Sequence, residues 1–288
     1  MRDLNFQLKQ LCKHNRDGSY ATQAGRVRQL TLIANQLHEL GFRRMAIRSL
    51  KPKHVTALVK SWGRQGLSRG TQKNRLAALR WWAGKVGKVG VMAQENSTYG
   101  IGSRTYVAKT SKAQDLDLGK LARITDSYTR LSVKLQAAFG LRREEAIKFS
   151  PSYAIRDNHI QLKSTWTKGG RARSIPITNS EQRTLLKKVR TFAGNGSLIP
   201  PQLTYVQQLH RYERQLRTAG FNKLHGLRHA YAQQRYEELT GWKAPAAGGP
   251  SSKSLLANQS ALDKDARETI ARELGHQRES ISAVYLGR

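Results

Sequence analysis

The sequence predicts a mainly α-helical protein with one small β-hairpin, an α+β fold in two domains. Three observations carry this. Apolar residues recur at helical spacing over most of the chain. Strand-like alternation is confined to two neighbouring stretches, His159–Lys163 and Arg173–Thr178. Between the halves, Val86–Ala108 holds four glycines and little periodicity, as a linker does. At 288 residues there is material for two separate cores.

The charge is the strongest bulk signal. Fifty-one Lys and Arg stand against 19 Asp and Glu, a net +32. Both halves share it, with +17 over 1–110 and +15 over 111–288. An excess of this size, spread over both domains, points to a polyanion held by both, and nucleic acid is the commonest one. Cys12 is the only cysteine, which excludes an internal disulfide and a cysteine-built zinc site and fits a reducing compartment. The N-terminus lacks the apolar core of a signal peptide, and no run approaches a membrane span. The expected location is the cytoplasm, in association with the nucleoid, with no membrane partner.

In the first half, Ala21–Leu40 repeats apolar residues at Val27, Leu30, Leu32, Ile33, Leu37 and Leu40 before Gly41, an amphipathic helix with its stop. Ser49–Trp62 is a second, with Pro52 near its start and Val55, Leu58, Val59 and Trp62 inward. Ser68–Val86 is a third, capped by Ser68 or Thr71, with Leu76, Leu79, Trp81 and Trp82 as core positions. Its other face carries Arg69, Lys73, Arg75 and Arg80 almost without acids, which suits phosphate contact better than a merely solvated face. Nothing in this half suggests chemistry.

In the second half, Asp117–Arg130 and Leu131–Phe139 read as helices, followed by GLRREEA at 140–146. Arg142 and Glu145 lie three apart there, so the carboxylate can fix the guanidinium; an ordinary surface pair is the plainer reading. The two alternating stretches form a hairpin with Lys168 near its tip, either solvated or reaching into a groove. After Pro200 and Pro201, Thr204–Ala219 is helical, with Val206, Leu209, Tyr212 and Leu216 on one side. Arg211, Arg214 and Arg217 lie elsewhere on it, a candidate for a DNA groove. LHGLRHA at 224–230 then places His225 and Arg228 on one helical face, with His229 beside them. A guanidinium fork beside an imidazole suits a phosphate. The Pro/Gly/Ser-rich stretch Gly241–Ser254 is a loop, Asp265–Leu274 a helix, and His276 and Tyr285 close the chain. Taken alone, Tyr285 reads more readily as a packing residue than as a nucleophile.

Together and in this order, GLRREEA, TKGGRARSIPI, LHGLRHAYA and LGHQRESISAVY resemble the arginine box, lysine hairpin, His-x-x-Arg box and closing histidine and tyrosine of the tyrosine recombinase (phage integrase) family. The resemblance covers the chain in detail from about Asp115 onward. The first half is similar to the family's core-binding domain in composition and position. It implies a C-shaped DNA clamp, with residues 1–108 as the helical DNA-binding domain, a linker at about 87–112, and 113–288 as the catalytic domain. It also implies roles. Tyr285 attacks the scissile phosphate; Arg142, Arg228 and His276 hold the non-bridging oxygens; Glu145 supports Arg142. Lys168 protonates the departing 5′ oxygen, and His225 assists proton transfer at the tyrosine.

The chemistry agrees. A phosphodiester under attack gains charge on its equatorial oxygens, so preorganised cations stabilise the transition state most. A phenol is a poor nucleophile until a base or positive field helps it, and a leaving alkoxide needs a general acid. A tyrosine ester conserves the bond energy, so neither a metal nor another cofactor is expected.

Two departures from the family pattern stand out. Only three residues follow Tyr285, where many members continue into a helix that docks on a neighbouring protomer. The segment between Arg228 and His276 is long, with Gly241–Ser254 resembling an insertion, either a protomer contact or a disordered surface loop. The expected partners are double-stranded DNA and further copies of the chain, as a homotetramer on paired sites with a dimer per site. Another recombinase or a directionality factor is a further candidate partner. The leading reading is a site-specific recombinase of a mobile element. A non-cleaving accessory protein on the same fold and a type IB topoisomerase-like enzyme are the alternatives.

Overall fold

The computed structural model describes residues 3–103, 106–108, 110–276 and 278–288. The chain divides into two compact units, 1–105 and 106–288.

The first unit is helical: α1 (Asp3–His14), α2 (Tyr20–Glu39), α3 (Pro52–Arg64) and α4 (Arg69–Lys85). Local chemistry sets the ends. Ser19 Oγ accepts from the Thr22 amide at the start of α2, and Ser68, not Thr71, caps α4. Pro52 opens α3, where its missing N–H costs nothing. Leu8, Leu30, Ile33, Leu37, Leu58, Trp62, Leu79 and Trp82 form the core. Leu32 and Trp81 depart from the expected core. Leu32 is exposed, because Ile33 and Leu37 already centre the buried stripe of α2. Trp81 is only partly buried, and its indole N–H donates to Asp17 at 2.8 Å.

The second unit holds α5 (Leu118–Ala122), α6 (Ser127–Phe139), α7 (Arg143–Ile147) and α8 (Pro151–Ala154). Strands β1 (His159–Leu162) and β2 (Arg173–Pro176) follow as an antiparallel pair, with Ile160 opposite Ile175. Then come α9 (Ser180–Ala193), α10 (Tyr205–Thr218), α11 (His225–Thr240), α12 (Ala257–Glu273) and α13 (Ala283–Leu286). The mainly α fold with one two-stranded sheet is as the periodicity predicts. The expected helix over Asp117–Arg130 is instead broken. The chain leaves α5 after Ala122, and Asp126 caps α6, its carboxylate accepting from the Thr129 amide at 2.9 Å. On α10, Val206 stands exposed, because the helix packs through Tyr205, Leu209, Tyr212 and Leu216, a stripe about one residue round from Val206.

The core that positions the candidate site is built from α6, the hairpin, α11, α12 and α13. Phe139, Leu141, Ile160, Ile175, Tyr236, Ile270 and Leu274 are fully or almost fully buried in it. Gly241–Ser254 is packed rather than loose: Ala244 is fully buried, and the Trp242 indole donates to the Tyr236 hydroxyl at 3.2 Å. Among the described residues no helix is long and apolar enough to cross a membrane.

Candidate active site

The start of α11 sets the geometry. Lys223 takes a left-handed backbone conformation (φ 50°), the only non-glycine among the described residues to do so, and turns the chain into the helix. His225 is the first helical residue, and Arg228 follows one turn later on the same side. Gly226 lies between them against Gln114, whose backbone N–H donates to the Gly226 carbonyl at 3.1 Å. A Cβ at Gly226 would come within 2.6 Å of the Gln114 side chain.

Arg228 is 1% exposed. Its Nη1 donates to the Gly140 carbonyl and its Nη2 to the Leu274 carbonyl, while Nε donates to the Tyr285 hydroxyl at 3.3 Å. Three distant segments are thus tied to one guanidinium. Burial brings its pKa down to about 10, with Tyr285 opposing and Arg142 assisting the shift, so it stays cationic at neutral pH.

Arg142 immediately precedes α7. Glu145, fully buried, accepts from the Arg142 amide at 2.7 Å and from its guanidinium at 2.9 Å. A second arginine, Arg173 at the head of β2, grips the same carboxylate with both Nη atoms, at 2.8 and 2.7 Å. Burial alone would raise the Glu145 carboxyl, but the bonds and charge of Arg173, then Arg142 and Arg228, hold it at about 2. Arg173 also donates from Nε to the Glu273 carbonyl at 2.8 Å, joining the arginine box to the turn before His276. Sequence reasoning missed Arg173. The signal was present: strand alternation puts it on the face of buried Ile175, where a charge needs a partner.

Tyr285 is 4% exposed and ringed by imidazoles, with centroids 6.0 Å from His225, 4.7 Å from His229 and 5.6 Å from His276. Burial, then the charges of Arg228, Arg142 and Arg173, lower His276 to about 4. Burial, then His225, Lys112 and Arg228, bring His229 to the same value. His225 is lowered by burial, Arg228 and Arg142. At neutral pH the rings of His229 and His276 are therefore uncharged, each able to accept and donate one proton. His276 Nε2 and His229 Nδ1 are buried without a partner, polar atoms left over where an anion or water would sit.

Lys168 occupies the turn between the strands and is exposed. With Arg142, Arg143, Arg217, Lys223 and His225 it lines an open cleft of about 650 Å³. The structure thus gathers Arg142, Glu145, Arg228, His225, His276 and Tyr285 around one point, with Lys168 on the rim of the cleft beside it. That arrangement can hold a dianionic pentavalent phosphate and shuttle protons at it.

The expected DNA-contacting residues divide. Arg214 and Arg217 on α10 are exposed, while Arg211 lies 3.8 Å from Asp126. On α4, Lys73 is half-buried, and Arg69 reaches the Ser103 carbonyl at 3.4 Å. Arg75 lies over the Trp62 ring at 5.4 Å, with Nε and Nη1 buried and unpartnered. Arg80 on this face is the most fully committed. Its fork is spent on the Ala93 carbonyl and the Asn96 side chain, so it braces the segment after α4 rather than facing outward.

Comparisons with known proteins match stretches of both units. The family profile described as "Phage integrase, N-terminal" matches residues 1–89, and that described as "Integrase" matches 101–234. A comparison with curated protein sequences finds no match. Among solved structures, a lambda integrase dimer bound to a COC′ core site matches with a TM-score of 0.60 at 14% identity, covering 98% of this chain and 76% of that one. The XerH site-specific recombinase in a post-cleavage complex with difH gives 0.59 at 19%, covering 99% and 81%. The Tn1549 transposon integrase with circular intermediate DNA gives 0.56 at 13%, covering 100% and 96%. At these identities the likeness is one of fold.

Proposed function

This chain belongs to the phage integrase family of tyrosine recombinases, and we propose from that premise that it cleaves and rejoins DNA at specific sites, integrating or excising a mobile element. The observation that carries the reading is the 3.3 Å bond from Arg228 Nε to the Tyr285 hydroxyl, inside a ring of three histidines and beside Arg142. A core tyrosine needs none of that company.

The chemistry then runs as follows. The Tyr285 oxygen attacks the scissile phosphorus, and its proton passes to neutral His225. Arg142, Arg228 and His276 bear on the non-bridging oxygens, where charge develops. The bond to the 5′ oxygen breaks, and Lys168 supplies the proton that makes the leaving group a hydroxyl. The DNA strand is left as a 3′-phosphotyrosine ester, and a 5′ hydroxyl from a second strand reverses the steps. No energy source is consumed, because one phosphodiester is exchanged for another.

The partner is double-stranded DNA, and the assembly we propose is a tetramer on paired sites with a dimer on each. The solved lambda integrase dimer on a core site supports the dimer arrangement. A second recombinase or a directionality factor fits the same scheme. The test is covalent trapping: metal-free protein with supercoiled DNA carrying the flanks of its own gene, denatured, with the adducts sequenced. Discrete adducts are expected, absent in Tyr285→Phe, whose DNA binding should be unchanged. Tight binding with no adduct would favour the accessory-protein reading. Relaxation of single plasmids at concentrations too low for paired-site assembly would favour the type IB topoisomerase-like one.

A further inference from the structure

The nucleophile's own short helix is held in place by groups outside the reacting set. α13 has only four residues, too few to be stable alone. The backbone of α13 and of Gly287 just after it is fixed at three points. Gln233 Nε2 donates to the Tyr285 carbonyl at 2.9 Å, and the Gln233 oxygen accepts from Ser111 at 2.9 Å. The Ala108 amide donates to the Ala283 carbonyl at 3.0 Å. Arg267, on α12 and 3% exposed, donates from Nη1 to the Gly287 carbonyl at 2.9 Å.

Arg267 is itself locked. Its Nε meets Asp263 at 2.7 Å, and its Nη2 meets Ser252, in the Gly241–Ser254 loop, at 3.3 Å. Asp263 also accepts from Ser252 at 3.2 Å and from the Tyr236 hydroxyl. The loop closes the other side. Gly287 (φ 75°) lies so near it that a Cβ there would come 2.8 Å from the Ala246 amide nitrogen and 3.0 Å from the Ala108 carbonyl. A buried ion pair contributes little to stability over an apolar replacement; here the pair also aims Arg267 at a backbone carbonyl.

We propose that Arg267, braced by Asp263 and Ser252, is a positioning residue for strand cleavage: by holding the Gly287 carbonyl it sets where the Tyr285 oxygen lies beside Arg228. This rests on Tyr285 being the nucleophile. It gives the Gly241–Ser254 loop a task within its own protomer.

The experiment is single-turnover adduct formation on a nicked substrate, with DNA affinity, melting temperature and amide exchange at 285–287 measured alongside. Arg267→Lys keeps the pair with Asp263 and tests partial rescue. The double variant Asp263→Asn, Arg267→Gln removes both charges together, so no buried charge is left unpaired. In the double variant, DNA affinity should stay within about twofold and cleavage should fall by about 10- to 100-fold. Amide exchange at 285–287 should accelerate, and Arg267→Lys should recover part of the rate. Replacing the bridging 5′ oxygen by sulfur, whose thiolate leaves without an acid, should restore Lys168→Ala but not the double variant. Wild-type cleavage in the double variant, or restoration of it by sulfur, overturns the proposal. Should the double variant fail to fold, Arg267→Lys decides: its cleavage must be slower than wild type and insensitive to sulfur, and wild-type cleavage in it overturns the proposal. Adducts persisting in Tyr285→Phe would instead overturn the nucleophile assignment.

Discussion

At the scale of single residues, Glu145 is where most electrostatic stakes meet. It is fully buried between two guanidinium groups and accepts hydrogen bonds from both. Glu145→Gln keeps the shape and deletes the charge, leaving Arg142 and Arg173 without their counter-ion. Breaking a buried pair in this way costs about 3–5 kcal/mol, so denaturant unfolding should show a loss of that order, with adduct formation falling in parallel. The imidazoles make a separate prediction. His229 and His276 sit near 4 against an ordinary 6.5, so the unfolded chain binds more protons between those values. Their contribution is complete above about pH 6.5 and is lost as pH falls towards 4. Glu145, depressed from 4.5 to about 2, adds a loss below about pH 4.5. Melting temperature should therefore decline from pH 6.5 downward, and His229→Gln with His276→Gln should flatten the upper part of that decline. An unchanged slope in the double variant would show that the two rings titrate normally.

Elements show how local rules and tertiary demands combine. The loop after α11 is permitted by its glycines. At Gly249 a Cβ would fall 1.6 Å from the Lys243 carbonyl oxygen, so no side chain fits without moving backbone. Gly249→Ala should displace the loop from Ala246 and Gly287, slow strand cleavage and leave DNA affinity intact; cleavage at the wild-type rate would mean that the loop does not act on α13. Gly140 is equally constrained, with φ 58° and a Cβ that would meet the Tyr231 ring at 2.6 Å. It lets α6 end where its carbonyl can receive Arg228. The hairpin serves two ends at once: its turn carries Lys168, and its second strand delivers Arg173 to Glu145.

For the whole molecule, the +32 charge sets the energetics of DNA engagement. Each phosphate neutralised releases counterions, so affinity should fall by about a thousandfold or more between 50 and 200 mM salt if six or more phosphates are contacted. A titration of binding against salt checks this, and a shallow slope would mean that most of the cations are not at the DNA. Arg80 already shows that a basic residue on the right helix face need not be free, since its fork is occupied within the first unit.

Much was legible in the sequence because it is set by neighbours along the chain. Helix periods, the Ser68 cap, the hairpin and its turn, and the i, i+3 relation of His225 to Arg228 and of Arg142 to Glu145 all depend on a few adjacent residues. The break at Asp126 has a local cause, a capping aspartate flanked by Thr125 and Ser127 between two helical stretches. Other features had no local signature. That Arg173 shares the carboxylate of Glu145, that Arg228 binds carbonyls 88 and 46 residues away, and that Arg267 holds the carbonyl after Tyr285's helix are decided by which segments pack together. A buried guanidinium must find acceptors wherever the fold brings them, and those acceptors are backbone carbonyls that every residue possesses. The sequence therefore proposes the reacting side chains, while only the tertiary structure decides what holds them.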